Sequence, residues 1–236
     1  MKVGTTLPQF RDEADSALAA ALRAEQVGLD GVFCFDHLWP MGQPGRPALS
    51  SGPLLGALAA STSVIHIGTL VARIGLLPDD VLVDELASLH AISNGRLIAG
   101  LGTGDHLSRA ENQAFGIPFE PAEVRRVRMG AVAVAVEARG IPVWVGGGLP
   151  STTELARTVG GAVNLWEAEA TQVAGMTAAG YEVTWGGPVA GNVVQIEERL
   201  RELAEAGATW AVCAWLDSLD SLDSLEVIAE AANAMR

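Results

Sequence analysis

Three patterns in this chain carry residue types that can do chemistry. The first is Asp36-His37, closing a short apolar run, and the second is Gly102-Thr103-Gly104-Asp105, closing another. A histidine can give or take a proton near neutral pH. A carboxylate can do the same when its site is partly desolvated. Each also has a structural alternative: His37 could bond a backbone carbonyl, Asp36 could set the His tautomer or cap the next loop, and Asp105 could cap the segment after it. His106 stands beside Asp105 as a second proton carrier. The third pattern, Gly146-Gly147-Gly148-Leu149-Pro150-Ser151-Thr152, runs from an apolar stretch into a helix. Unobstructed N–H groups at a helix start suit a phosphate, whereas a tight turn needs one Gly and not three.

Such groups act together only if the strands that carry them end together. The stretch from Ile65 to His106 reads as strand, helix, strand. A β-branched run at 64–67 leads into Gly68-Thr69-Leu70-Val71. After Pro78, Val81, Leu82, Leu86, Leu89 and Ile92 recur at helical spacing. Ser93-Asn94-Gly95 stops that helix, because Asn and Gly accept a left-handed backbone. An apolar run then leads into Gly102. Polar or Gly-rich residues sit at the carboxyl end of each strand, where parallel α/β folds place their chemistry.

The rest of the chain repeats the alternation. Residues 2–7 and 31–35 read as the first two strands, with a helix between them carrying Ala17, Leu18, Ala21, Leu22, Ala24 and Val27 inward. A Pro- and Gly-rich loop covers 40–53, and a helix with Leu54, Leu55, Leu58 and Ala59 runs towards Ser61. The segment 106–121, which holds Glu111, reads as loop. Residues 120–139 read as a helix although 131–136 alternate Ala and Val, because a parallel βα unit needs a crossover there. Strands follow at 142–145, 162–166, 182–185 and 210–215, and helices at 152–159, 193–206 and 219–234. No element is assigned between Trp166 and Glu182. The Asp-Ser-Leu repeat at 217–225 reads as a capped helix entry. Eight strands alternating with helices in 236 residues predict an α/β fold, a single (β/α)8 TIM barrel with shortened loops spanning 1–236.

Hydrophobic residues make up 49% of the chain and charged residues 18%, which excludes a disordered chain. A formal net charge of −13 argues against nucleic acid or an anionic membrane as partner. The two cysteines, Cys34 and Cys213, fall in strands and read as small buried hydrophobes. No metal-ligand spacing is present, and neither a leader pattern nor a run of membrane length is visible. The expected setting is a reducing cytoplasm.

The ordered set Gly68-Thr69-x-Val71, Ser93-Asn94-Gly95-Arg96 and Gly102-Thr103-Gly104-Asp105 resembles the bacterial luciferase-like superfamily. Within it, the deazaflavin (coenzyme F420)-dependent oxidoreductases are the nearest in pattern. The resemblance implies that His37 faces the reacting carbon of a flavin-like ring and that Asp105 takes the general acid position. That position is usually Glu in the sugar-phosphate dehydrogenase branch. It implies a bulge with a non-proline cis peptide, here Leu70–Val71, under the ring beside Gly68 and Thr69. It places Gly102, Thr103 and Gly104 against the cofactor, with Asp36 nearby and Trp39 as a ring wall or a lid. It puts the cofactor phosphate on Gly146, Gly147 and Gly148 after Val145.

There are departures. Gly160-Gly161-Ala162 replaces the family's Gly-Asp-Gly, and Trp166-Glu167-Ala168-Glu169 stands where Lys or Thr would hold a substrate phosphate. The chain is short between Arg128 and Pro142. Arg96, His66 and His90 read as structural. Three functions follow: hydride transfer between F420 and a small organic substrate, an FMN-dependent monooxygenase, or a non-catalytic flavin-binding barrel. A homodimer through the helices at 54–60 and 81–92 is also expected.

Overall fold

A computed structural model of the chain describes residues 1–40, 42–214 and 223–236. The strands are β1 (Lys2–Thr6), β2 (Gly31–Cys34), β3 (His66–Arg73), β4 (Leu97–Gly102), β5 (Val143–Gly146), β6 (Ala162–Trp166), β7 (Val183–Pro188) and β8 (Ala208–Ala214). All pair in parallel and in chain order, and β1 pairs with both β2 and β8, so the sheet closes into the expected barrel. Parallel neighbours cannot be joined by hairpins, so helices cross between them. These are α1 (Asp15–Gln26), α2 (Ser51–Ser61), α3 (Asp79–Ile92), α4 (Ser108–Ala114), α5 (Ala122–Glu137), α6 (Pro150–Thr158), α7 (Ala170–Ala178), α8 (Val193–Glu205) and α9 (Asp223–Ala234).

Two of these helices correct the sequence reading. The stretch read as loop at 106–121 contains α4, and the unassigned stretch after Trp166 contains α7. Neither shows an apolar period. The inward residues of α4 are Ser108, Glu111 and Asn112, a polar set at helical spacing, and α7 buries only Val173. Conversely, the alternating Ala-Val segment is helical, with Met129, Val132, Ala133 and Val136 of α5 buried. The end of the predicted eighth strand, Trp215, the start of the last predicted helix and most of the Asp-Ser-Leu repeat lie outside the described residues.

Large aromatic side chains fill the barrel where branched aliphatics are usual. Phe33 stacks on Trp144 at 5.0 Å, and Trp210 meets the edges of both, at 5.9 Å from Phe33 and 5.4 Å from Trp144. Small neighbours make room for them. A Cβ on Gly68 would lie 2.8 Å from the Phe33 ring and 2.6 Å from the Ile98 carbonyl oxygen, and one on Gly31 would meet both Phe33 and Trp210 at 2.9 Å. Arg96 ties the base together, donating to the carbonyls of Ala59, Thr62, Ile65 and Ser93. His66 sits at the amino end of β3 with Nδ1 3.1 Å from the Asp30 carbonyl. Cys34 and Cys213 are buried free thiols; burial pushes both pKa values up, that of Cys213 to about 12. Among the described residues no helix is long and apolar enough to cross a membrane, and no cluster could hold a metal ion.

The pairing of β3 with β4 shifts register between Thr69 and Ala72, and the Leu70–Val71 peptide is cis. The Val71 side chain occupies space that three glycines leave. A Cβ on Gly102 would lie 2.3 Å from Val71 Cγ2, and Cβ atoms on Gly100 and Gly146 would each lie 3.3 Å from Val71 Cγ1. Gly102→Ala should therefore cost about 1–3 kcal/mol by overpacking against a stiff β-branched side chain. Adding Val71→Ala should restore most of that loss. Urea midpoints of the two variants check this; a Gly102→Ala protein as stable as the parent would refute the packing account.

Candidate active site

The carboxyl ends of the strands enclose a cavity of about 700 Å3. Its lining includes His37, Leu70, Val71, Gly102, Thr103, Gly104, Asp105, Gly146, Gly147 and Gly148, all named from the sequence. It also includes Trp166 and Glu167, from the stretch that departs from the family pattern, and Phe10, Phe35, Arg73, Ser108, Asn164 and Gln172, which the sequence did not single out. Chain segments far apart in sequence thus meet because each follows a strand of one barrel.

The cavity wall is organised by a residue outside the predicted set. Glu111, on α4, is 2% exposed, and its carboxylate collects four donors. Oε2 accepts from Arg73 at 2.8 Å and faces His37 Nδ1 at 3.1 Å. Oε1 accepts from the backbone N–H groups of Leu38 at 2.6 Å and Trp39 at 3.1 Å. An ionised carboxylate can only accept, so the proton between it and His37 belongs to Nδ1. The other ring nitrogen, Nε2, is then the group His37 can offer to a ligand. Burial works against the Glu111 charge, but the His37 bond, the charges of His37 and Arg73 and the Trp39 amide outweigh it, and its pKa lies below the ordinary value.

Arg73 is the second half of this unit. Its Nε donates to the Asp36 carbonyl at 2.8 Å and its backbone N–H to Asp36 Oδ2 at 2.8 Å. Asp36 Oδ1 accepts from Ser51 at 2.9 Å. Asp36 therefore joins the ends of β2 and β3 to the start of α2 and lies behind the cavity wall. Burial pushes its pKa up despite those bonds.

Other predicted cofactor contacts also lie off the cavity, each for a packing reason. Trp39 turns its ring onto Phe115, at 5.7 Å between centroids. Gly68 is spent on Phe33, and the Thr69 hydroxyl donates to the Gly100 carbonyl at 2.7 Å. Val145 is fully buried between barrel and helices. His106 is exposed and does not line the cavity.

Asp105 does line it, and it also caps: Oδ1 accepts from the N–H groups of Leu107 at 2.8 Å and Ser108 at 3.1 Å. Its Oδ2 has no protein donor among the described residues. Buried Arg125 supports this turn from outside, donating to the carbonyls of Thr103 at 2.7 Å and Gly104 at 3.3 Å.

In the glycine run the division of labour is finer than the sequence suggested. The Gly147 N–H is taken by the Asn164 carbonyl at 3.0 Å, and its φ of +107° is one that few side chains tolerate. The Thr152 hydroxyl donates to the Gly147 carbonyl at 2.9 Å. Gly148 and Leu149, ahead of α6, donate to no protein group among the described residues. With Ser151 they are the amides left for an anion, because Pro150 has no N–H and those of Thr152 and Thr153 go to the Leu149 carbonyl.

Residues 1–129 match the model of the luciferase-like monooxygenase family. An F420-dependent glucose-6-phosphate dehydrogenase from Beutenbergia cavernae is 33% identical over 130 residues, which are 55% of this chain and 37% of that protein. The chain spans 26% to 37% of the length of the first curated relatives it matches. Among solved structures, an F420-dependent secondary alcohol dehydrogenase in complex with an F420-acetone adduct superposes with a TM-score of 0.79 at 14% identity, over 100% of this chain and 99% of that one. A monooxygenase from Streptomyces bottropensis gives 0.78 at 16%, with the same coverage. At such identities these two show the fold.

Removing Glu111 leaves Arg73 buried without its counter-ion. Loss of one partner of a buried pair typically costs about 3–5 kcal/mol, so Glu111→Gln should lower the urea midpoint accordingly and free the His37 ring. Ring 15N shifts of His37 report the second effect: the parent should hold its proton on Nδ1, and the variant should lose that bias. An unchanged tautomer would show that Glu111 does not set it.

Proposed function

Because the chain belongs to the luciferase-like monooxygenase family, we propose that it is an oxidoreductase that moves a hydride between deazaflavin coenzyme F420 and a small organic substrate at the barrel mouth. The observation that carries the reading is His37, oriented by buried Glu111 and lining the same cavity as Asp105 and the glycine run. The residues present suit such a cofactor. The free amide of Gly148 on the cavity lining, with that of Leu149 next to it in the chain, offers donors to a phosphate, and Leu70 and Val71 offer an apolar surface to a flat ring. The cofactor supplies the hydride chemistry. The chain's own part is to bind, orient and handle protons. His37 Nε2 holds or delivers the proton that accompanies hydride transfer, and Asp105 Oδ2 is the second group placed to do so. Glu111 keeps the imidazole in one orientation throughout.

FMN with molecular oxygen is the second reading, favoured by the family's monooxygenase model. We also propose that two copies pair through the outer faces of α2 and α3. On α3, Val81 and Ile92 are 49% and 55% exposed; a monomeric mass in light scattering at micromolar protein would exclude this.

The cofactor site is tested at Gly148, whose backbone is not left-handed, because any side chain at Gly147 strains the chain itself. Gly148→Asp should weaken F420 binding more than tenfold, about 1.4 kcal/mol. His37→Ala should keep binding within a few-fold and lose roughly 100-fold in turnover, the lower range for a general acid–base group. Reducing the bound cofactor and admitting air separates the two readings. Reduced deazaflavin persists until substrate arrives; rapid oxygen consumption with bound FMN would replace the F420 assignment.

A further inference from the structure

The same cavity has a second wall that the cofactor reading leaves unused. Phe10 stacks on Phe35 at 5.9 Å and 11° between planes, and Trp166 meets Phe35 edge-on at 5.7 Å. Trp166 is 44% exposed although it lines a cavity. Its indole N–H is committed to Glu167 Oε1 at 3.0 Å, which fixes a carboxylate at the edge of the aromatic surface.

Glu167 is held there by its backbone. Its φ is +53°, a conformation that Gly adopts freely and Glu does not. The Glu167 N–H donates to the Gly186 carbonyl at 2.7 Å, and the next carbonyl, that of Ala168, accepts from Trp185 Nε1 at 2.9 Å and from Arg199 at 3.0 Å. A Cβ on Gly187 would lie 2.6 Å from the Trp185 ring and 3.3 Å from Glu167 Cγ, so the glycine makes room first for Trp185, and the Glu167 stem passes beside it. The surrounding structure thus enforces a left-handed position and fills it with a carboxylate. Glu167 is exposed and in no ion pair among the described residues; the Trp166 indole N–H is its side chain's hydrogen-bond partner.

The charges around the cavity complete the case. Its basic side chains, Arg73 and His37, are both engaged by Glu111, and the free Arg73 Nη2 is itself sealed from solvent. Asp105 and Glu167 are the carboxylates on the lining. Glu169, which the sequence suggested as a second acid here, instead caps α7 and does not line the cavity. An indole face with a carboxylate beside it suits a cation carried on an apolar or aromatic body.

We propose that Trp166 and Glu167 form the substrate subsite and select a protonated amine or other cationic group attached to an aromatic or apolar body, and that they reject phosphorylated and carboxylated substrates. This rests on the oxidoreductase reading for its meaning as a substrate site, but the binding it requires can be measured without turnover. The probes are benzylammonium, benzyl alcohol and benzoate, nearly equal in shape and different in charge, titrated calorimetrically at neutral pH into the full chain. Benzylammonium should bind at least tenfold more tightly than benzyl alcohol, with benzoate weakest. Glu167→Gln should bring the first two within threefold. Glu167→Gly, which also relieves the left-handed backbone and so should fold at least as well as the parent, should do the same. Equal binding of all three probes, tightest binding of benzoate, or a preference that survives in both variants would overturn the proposal. F420 titration of the same preparations keeps the two readings apart. A cation preference without F420 binding removes the cofactor assignment alone, and F420 binding without a cation preference removes this subsite alone.

Discussion

The buried carboxylate of Glu111 is the interaction on which the cavity wall depends. It comes from α4, a seven-residue helix, and reaches groups from two other segments: Arg73 at the end of β3 and the His37–Trp39 turn after β2. An ionised group buried without partners would be expelled or neutralised. Here the Arg73 guanidinium, the His37 ring N–H and two backbone N–H groups surround it, so its charge persists and holds a helix, a strand end and a turn in one arrangement. A hydrophobic residue of similar size could fill the space and could not orient an imidazole. Orientation is what this buried pair provides, and a fixed ring is a precondition for proton transfer with a ligand on its other side.

The barrel was legible in the sequence because its signals are local. Apolar runs at the right intervals, with Gly, Asp and His at their ends, place β2, β3, β4 and β5 and the cavity they surround. The helix expected at 193–206 is α8, and Ile196, Leu200 and Leu203, at helical spacing, are its buried face. What was hidden is what depends on partners remote in the chain. Helix α4 has no apolar stripe, since its inner face consists of Ser108, Glu111 and Asn112 and satisfies itself by hydrogen bonds across the cavity wall. The i, i+3, i+4 spacing of those polar residues is a helical period, and it was the one signal that could have revealed both α4 and the role of Glu111. Arg73 gave no such sign, because its partners are 37 and 38 positions away.

The glycines teach the same lesson in reverse. Their abundance near strand ends suggested backbone left bare for a ligand. Gly68 instead yields to the Ile98 carbonyl and the Phe33 ring, Gly100 to the Thr69 carbonyl, and Gly102 to Val71. A glycine in a sequence says that a Cβ is unwelcome; only the structure says whether a ligand or a neighbouring side chain is the reason. At Gly148 and Leu149 no protein group among the described residues claims the amides, and the proposed phosphate site rests on that.

Asp36 and Glu111 show how position, and not residue type, sets the behaviour of an acid in this wall. Burial raises the pKa of both, yet Glu111 ends below its ordinary value and Asp36 above it. The difference lies in the partners: Glu111 faces the His37 ring and the Arg73 guanidinium at contact distance, whereas Asp36 is bonded mainly by a neutral amide and a hydroxyl. The consequences for stability are opposite in sign. Because the folded pKa of Glu111 is depressed, its contribution is complete above the unfolded value of 4.5 and is lost as pH falls through the lower folded value. Because that of Asp36 is raised, the folded state holds its proton more tightly. That contribution is complete below the unfolded value of 3.8 and is lost as pH rises through the higher folded value. Between these limits the two acids pull the stability curve in opposite directions. The wall as a whole is therefore less sensitive to mild acid than the Glu111 pair alone would make it.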